Sequence, residues 1–150
     1  RIYRTILEKD PESPSAHLGL GIIAYHQGRY DDAEEHLLKV DSETPGYERA
    51  VPLLARIYFE KNQPPPLKEV TEKLKENPRD SDALFDLAVT YARGNEYERA
   101  LDTLLQLLEA DRKYKEGIAR SAYLKLLDII GRNTPLGREY ERKLSMVLFS

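Results

Sequence analysis

Three histidines, one Gly-x-Gly step and one acidic run are the residues of this chain whose types could carry chemistry. His17 and His26 lie nine residues apart in one predicted helix. At about 100° per residue that spacing sets them on opposite sides. His36 falls on the next helix. No His-x3-His pair exists, and the chain has no cysteine, which removes thiolate chemistry, disulfides and Cys-ligated zinc. The histidines therefore read as structural or solvated. Gly19-Leu20-Gly21 is a fragment of a dinucleotide fingerprint, but no strand precedes it and it lies inside a predicted helix. Asp31-Asp32-Ala33-Glu34-Glu35 reads as the start of a helix with a solvated face, where the helix dipole favours negative charge. The ten tyrosines recur at seam and turn positions and read mostly as core. The expectation is a non-enzymatic chain with no metal and no cofactor.

Composition narrows the class further. The chain has 150 residues, with 41% apolar and 33% charged residues. That length suits one domain with a sizeable core. The formal net charge is −3, and a mildly acidic chain without a basic block is a poor nucleic-acid binder. No apolar stretch approaches the roughly 18 residues of a membrane span. Leu18 to Tyr25 is broken by two glycines. The expected partners are thus proteins, with neither nucleic acid nor membrane.

The elements that position these residues follow from a repeat. Pro11, Pro45, Pro78 and Arg112 are spaced by 34, 33 and 34 residues. Within the first period the skeleton is His17-x2-Leu20-Gly21-x2-Ala24, then Ala33-x3-Leu37. Within the third it is Leu84-x2-Leu87-Ala88-x2-Tyr91, then Ala100-x3-Leu104. Gly21 to Ala88 and Ala33 to Ala100 are both 67 residues apart. Small residues at fixed sites, with large apolar residues beside them at helical spacing, mark helices that approach closely in pairs. Gly28-Arg29-Tyr30 and Gly94-Asn95-Glu96-Tyr97 read as the turns within the pairs. The prolines lie just past the second helices, which they cannot continue.

The pattern resembles the tetratricopeptide repeat, a helix–turn–helix unit of about 34 residues. The implied fold is all-α, a right-handed α-solenoid of tetratricopeptide-type hairpins with a C-terminal capping hairpin. Helices are expected at 1–9, 14–27, 30–41, 48–61, 66–77, 81–93, 97–110, 115–130 and 135–149. They group as one domain over 1–150: a half repeat (1–11), repeats at 14–45, 48–78 and 81–112, and a C-terminal hairpin at 115–149. Pro52 is expected in the first turn of its helix. Pro64-Pro65-Pro66 reads as a stiff inter-helix loop in preference to a ligand for a proline-recognising groove. The helix after it is expected about a turn shorter. Residues 1–9 look like the second helix of an earlier repeat, with Tyr3, Ile6 and Leu7 at its seam. A preceding segment is therefore expected.

The C-terminal third carries a more specific likeness. Leu126-Leu127-Asp128-Ile129-Ile130-Gly131, then Thr134-Pro135-Leu136, then Tyr140-Glu141-Arg142-Lys143-Leu144 and Val147-Leu148-Phe149 resemble the C-terminus of the chaperedoxin family, YbbN-type thioredoxin-like co-chaperones. Val70 to Ala83 and the proline-bearing middle repeat are similar to that family as well. The resemblance implies a thioredoxin-like domain upstream, a cytoplasmic role in stress response, unfolded clients as partners, and docking to a GroEL-type chaperonin.

Two surfaces are candidates for binding. Stacked repeats form a concave groove lined chiefly by first helices. In this register the lining is Leu18, Ile22 and Tyr25, then Pro52, Arg56 and Phe59, then Phe85 and Val89. Leu18 and Ile22 cannot donate to a carboxylate, and Asp82 and Asp86 would repel one, so no carboxylate clamp is expected. The groove would hold an apolar segment of a partner or be filled by the chain's own C-terminal helices. The second surface is the last helix. Its stripe Leu136, Tyr140, Leu144, Val147 and Leu148 should pack on helix 115–130. Arg138, Arg142, Met146 and Phe149 lie off that stripe and form the candidate chaperonin-docking face.

Overall fold

Every element of the computed structural model, which describes residues 2–149, is helical. Among the described residues there is no strand. The helices are α1 (Ile2–Lys9), α2 (Pro14–His26), α3 (Tyr30–Leu37), α4 (Tyr47–Lys61), α5 (Leu67–Glu76), α6 (Ser81–Arg93), α7 (Tyr97–Ala110), α8 (Ile118–Ile130) and α9 (Pro135–Phe149). The expected helix at 1–9 starts on Arg1, which lies outside the described residues. The chain divides into two compact units, one running through Lys61 and the other from Asn62. The division falls beside the proline run, inside the stretch that the repeat register assigns to 48–78.

In the first unit α2 and α3 form a tight hairpin. Ser13 accepts from the Ala16 amide at 3.4 Å, and Pro14 occupies the first helical position, the arrangement that suits a helix start. Gly28, at φ +76°, turns the chain. The two glycines of the Gly-x-Gly step then serve two neighbours. A Cβ on Gly21 would lie 2.7 Å from Leu37 Cγ and Cδ2, so α3 approaches to a distance only glycine permits. A Cβ on Gly19 would enter the ring of Tyr3, so α1 docks through that ring. Ala33 and Leu37 are wholly buried. Around them Leu18, Ala24, Val40, Ala50 and Ile57 close a core that α4 completes. Of the α1 seam residues, Leu7 is half-buried, while Tyr3 and Ile6 are 36% and 39% exposed.

Two local expectations need correction here. Helix α3 ends at Leu37, not near residue 41, because the chain turns at Lys39 and Val40, whose amides bond back to His36 and Leu37. Pro52 lies inside α4, five residues past its start, not in the first turn. It leaves the Glu48 carbonyl without its intrahelical donor, and Glu48 is exposed, so water can serve it.

In the second unit α6 and α7 repeat the hairpin. Asp80 caps the Ala83 amide at 3.1 Å, and Ala88 and Ala100 are 2% and 0% exposed. Leu101, Leu104, Leu105, Leu107 and Leu108 of α7 are all buried, so α7 is the central helix of this unit. Helix α5 packs on α6 through Val70, and with 10 residues it is a turn shorter than the 14-residue α7. The expected helix at 115–130 starts only at Ile118, because Lys115, Glu116 and Gly117 have φ of 42°, 60° and 97°. Three left-handed residues in a row cannot belong to a right-handed helix. Helix α9 packs on α7 as well as α8, a broader seat than the sequence stripe implied. Tyr140 and Leu144 form its buried face.

Candidate binding surfaces

The expected groove residues fall into two groups. Leu18, Phe59 and Val89 are 7%, 3% and 3% exposed, so their side chains belong to the chain's own core. This corrects their placement in an open lining. Leu18 meets the turn at Gly46, and the Phe59 ring meets Tyr58 edge-on at 5.1 Å. The periodicity that marked them as inward-facing could not separate a residue facing the neighbouring helix from one facing solvent.

The others stay partly accessible. In the first unit Ile22 and Tyr25 are half-buried against the core. The Tyr25 ring lies 5.7 Å from Tyr30 and 5.4 Å from His26. Pro52 and Arg56 are half-buried, and the Arg56 Nε is enclosed with no hydrogen-bond partner among the described residues. In the second unit Phe85 is half-buried, and its ring lies 5.8 Å from Tyr114. The chain's own segment between α7 and α8 therefore covers part of the α6 face.

That cover is held electrostatically. The buried Tyr114 donates its hydroxyl to Asp82 at 2.5 Å, and Lys115 approaches the same carboxylate at 3.5 Å. The phenol hydrogen bond, aided by Lys115, holds Asp82 below the usual carboxylate range. Burial and the neighbouring Asp82 push Asp86 upward. Burial, then Asp82, pushes the Tyr114 phenol well above its ordinary value. Asp82, one of the two carboxylates that argued against a carboxylate clamp, is thus engaged inside its own unit.

The last helix brings the other set together. Arg138, Arg142, Met146 and Phe149 follow one another at helical spacing along α9. Met146 and Phe149 are 70% and 84% exposed, and both arginines are exposed. A surface concavity is lined by Arg138, Glu141, Arg142, Ser145 and Met146. A second, between α7 and α9, is lined by Leu105, Glu109, Lys143, Met146 and Val147. Met146 borders both. Glu141 is drawn toward Arg132 at 3.8 Å and Glu139 pairs with Lys143 at 3.5 Å. Among the described residues neither Arg138 nor Arg142 has a side-chain ion pair. The face therefore joins two available guanidinium groups to two exposed apolar side chains. No helix of the described residues is long and apolar enough to cross a membrane.

One cluster escaped the sequence reading. His17 and His36 meet through their Nδ1 atoms at 2.8 Å. They lie almost symmetrically about the same turn as Gly21 and Ala33, and that antiparallel register was the signal that could have paired them.

Comparison with known proteins agrees with this architecture. A family model described as a tetratricopeptide repeat matches residues 60–149, and another of the same description matches residues 1–57. No curated protein matches the chain.

Proposed function

The chain belongs to the tetratricopeptide-repeat family, and from that premise we propose that it is the interaction region of a thioredoxin-like co-chaperone. Its helical hairpins make it a protein–protein interaction scaffold, a role that tetratricopeptide proteins generally fill without catalysis. The finer reading has two parts. The α9 face docks a GroEL-type chaperonin, and the accessible residues Ile22, Tyr25 and Arg56 of the first unit and Phe85 of the second contact unfolded clients. A thioredoxin-like domain upstream supplies cysteine chemistry, and the protein works in the cytoplasm under stress.

One observation carries this reading. The basic and apolar face of Arg138, Arg142, Met146 and Phe149 is exposed and continuous on α9, whereas most of the helix's other apolar residues are at least half-buried. An exposed apolar patch beside charge marks an interaction site. The test is a pull-down with purified GroEL-type chaperonin, comparing the wild-type chain with Met146→Asp/Phe149→Asp. Both positions are exposed, so the fold persists. Loss of capture supports the docking assignment; equal capture by wild type and variant refutes it. A generic scaffold in another assembly is the alternative reading, favoured if the wild type neither binds chaperonin nor suppresses client aggregation.

A further inference from the structure

The first unit contains a contact that client or chaperonin binding does not use. His17, on α2, is 3% exposed. Its Nε2 lies 2.8 Å from the Pro11 carbonyl in the turn after α1, and its Nδ1 lies 2.8 Å from His36 Nδ1 on α3. The two rings are 5.1 Å apart and tilted by 32°. Three segments of the unit thus converge on one pair of imidazoles.

The proton positions follow from the partners. A carbonyl oxygen only accepts, so His17 Nε2 carries a proton. In neutral His17 the Nδ1 is then a bare acceptor, and His36 Nδ1–H donates to it. The neutral His36 ring has a bare Nε2. A first added proton goes there and leaves the shared hydrogen bond in place. A second would set N–H against N–H across the Nδ1 pair, which no longer attract.

We infer that the His17–His36 pair is an acid-released clasp, closed while the two facing nitrogens share one proton and opened when both rings are charged. Release loosens the α2–α3 hairpin and the turn at Pro11, and with them Ile22 and Tyr25.

Burial biases the clasp toward the neutral state, and the surrounding charges act in both directions. Burial lowers the pKa of His36, and His17 and Lys39 add to this; Glu35 and Asp32 oppose it. Asp10 and Glu12 sit in the turn, where Asp10 accepts the Glu12 amide, and Lys61 of α4 is held by Asp31 and Glu34. Because the folded pKa lies below the free value of about 6.5, the unfolded chain binds the proton first. His36 itself therefore contributes stability that is complete above about pH 6.5 and is lost as pH falls through its lowered folded value; the clasp opens at the second proton, which binds after that one.

The test uses the full chain labelled with nitrogen-15. At about pH 8 a through-hydrogen-bond coupling between the two Nδ1 atoms is expected, and it should vanish on acidification toward about pH 5. In parallel, the urea midpoint of the wild type should fall over that range. His36→Asn places a non-titrating amide donor near the Nδ1 position, so its midpoint should be much flatter. Absence of the coupling near pH 8, or parallel declines of wild type and His36→Asn, overturns the proposal. If His36→Asn does not fold, the wild-type coupling and its pH course decide alone.

Discussion

The Tyr140 hydroxyl donates to Asp102 Oδ1 at 2.7 Å, tying α9 to α7 across 38 residues of sequence. On the same residue the main-chain carbonyl receives the buried Tyr123 hydroxyl at 2.5 Å. One residue of α9 is thus fastened to both helices beneath it. Tyr140→Phe keeps the ring and removes only the link to Asp102. Asp102 is exposed and regains water, so the expected loss is about 1 kcal/mol, the net worth of such a hydrogen bond. Urea unfolding monitors it, and an unchanged midpoint would show the link to be idle.

The glycines of the Gly-x-Gly step should differ in cost. Gly21 faces Leu37 in the core of the hairpin, whereas Gly19 faces Tyr3 of the exposed α1. Gly21→Val overpacks the α2–α3 seam and is expected to destabilise the first unit by about 3 kcal/mol. Gly19→Val displaces the Tyr3 ring and frees α1, with a smaller effect on the midpoint. Limited proteolysis should then cut near residues 9–12 in Gly19→Val first. Equal losses from the two substitutions would contradict the separate roles.

Glu116 holds a left-handed backbone at φ 60° and is exposed. For a residue with a Cβ this conformation costs about 1–2 kcal/mol, part of which glycine recovers after its own entropy loss. Glu116→Gly is therefore expected to raise the stability of the second unit by about 0.5–1 kcal/mol. A lower urea midpoint would mean that the side chain contributes more than the backbone strain removes.

Acid should act on the second unit through Asp82. Its folded pKa is lowered, first by the Tyr114 hydroxyl and then by Lys115. Stability from this group is present above the free carboxylate value of about 3.9 and is lost as pH falls through the lower folded value. Tyr114→Phe removes the main cause of the shift. Between about pH 6 and pH 3 its stability should decline less than that of the wild type. Parallel declines would assign the acid sensitivity elsewhere.

Much of the hairpin architecture is legible in the sequence. The 67-residue offsets that join Gly21 to Ala88 and Ala33 to Ala100 located the close seams, since small residues recur only where two helices need them. Ser13-Pro14 and Thr134-Pro135 stand where α2 and α9 begin, a signal written in the sequence because capping and the fixed proline φ act within a few residues. The α9 face was also legible: Arg138, Arg142, Met146 and Phe149 share a side by helical spacing alone.

What the tertiary structure decided concerns partners distant in sequence. Leu18, Phe59 and Val89 fell inside the core, because a helix face is buried or free according to what packs on it. The start of α8 slipped to Ile118 because Tyr114 is anchored to Asp82 and the chain must reverse its handedness to continue. The pairing of His17 with His36, and of Tyr140 with both Tyr123 and Asp102, required the helices to be set side by side. Local physics fixes where most helices begin and which side of each is apolar; packing fixes where α8 can start, which faces are covered and which polar groups meet.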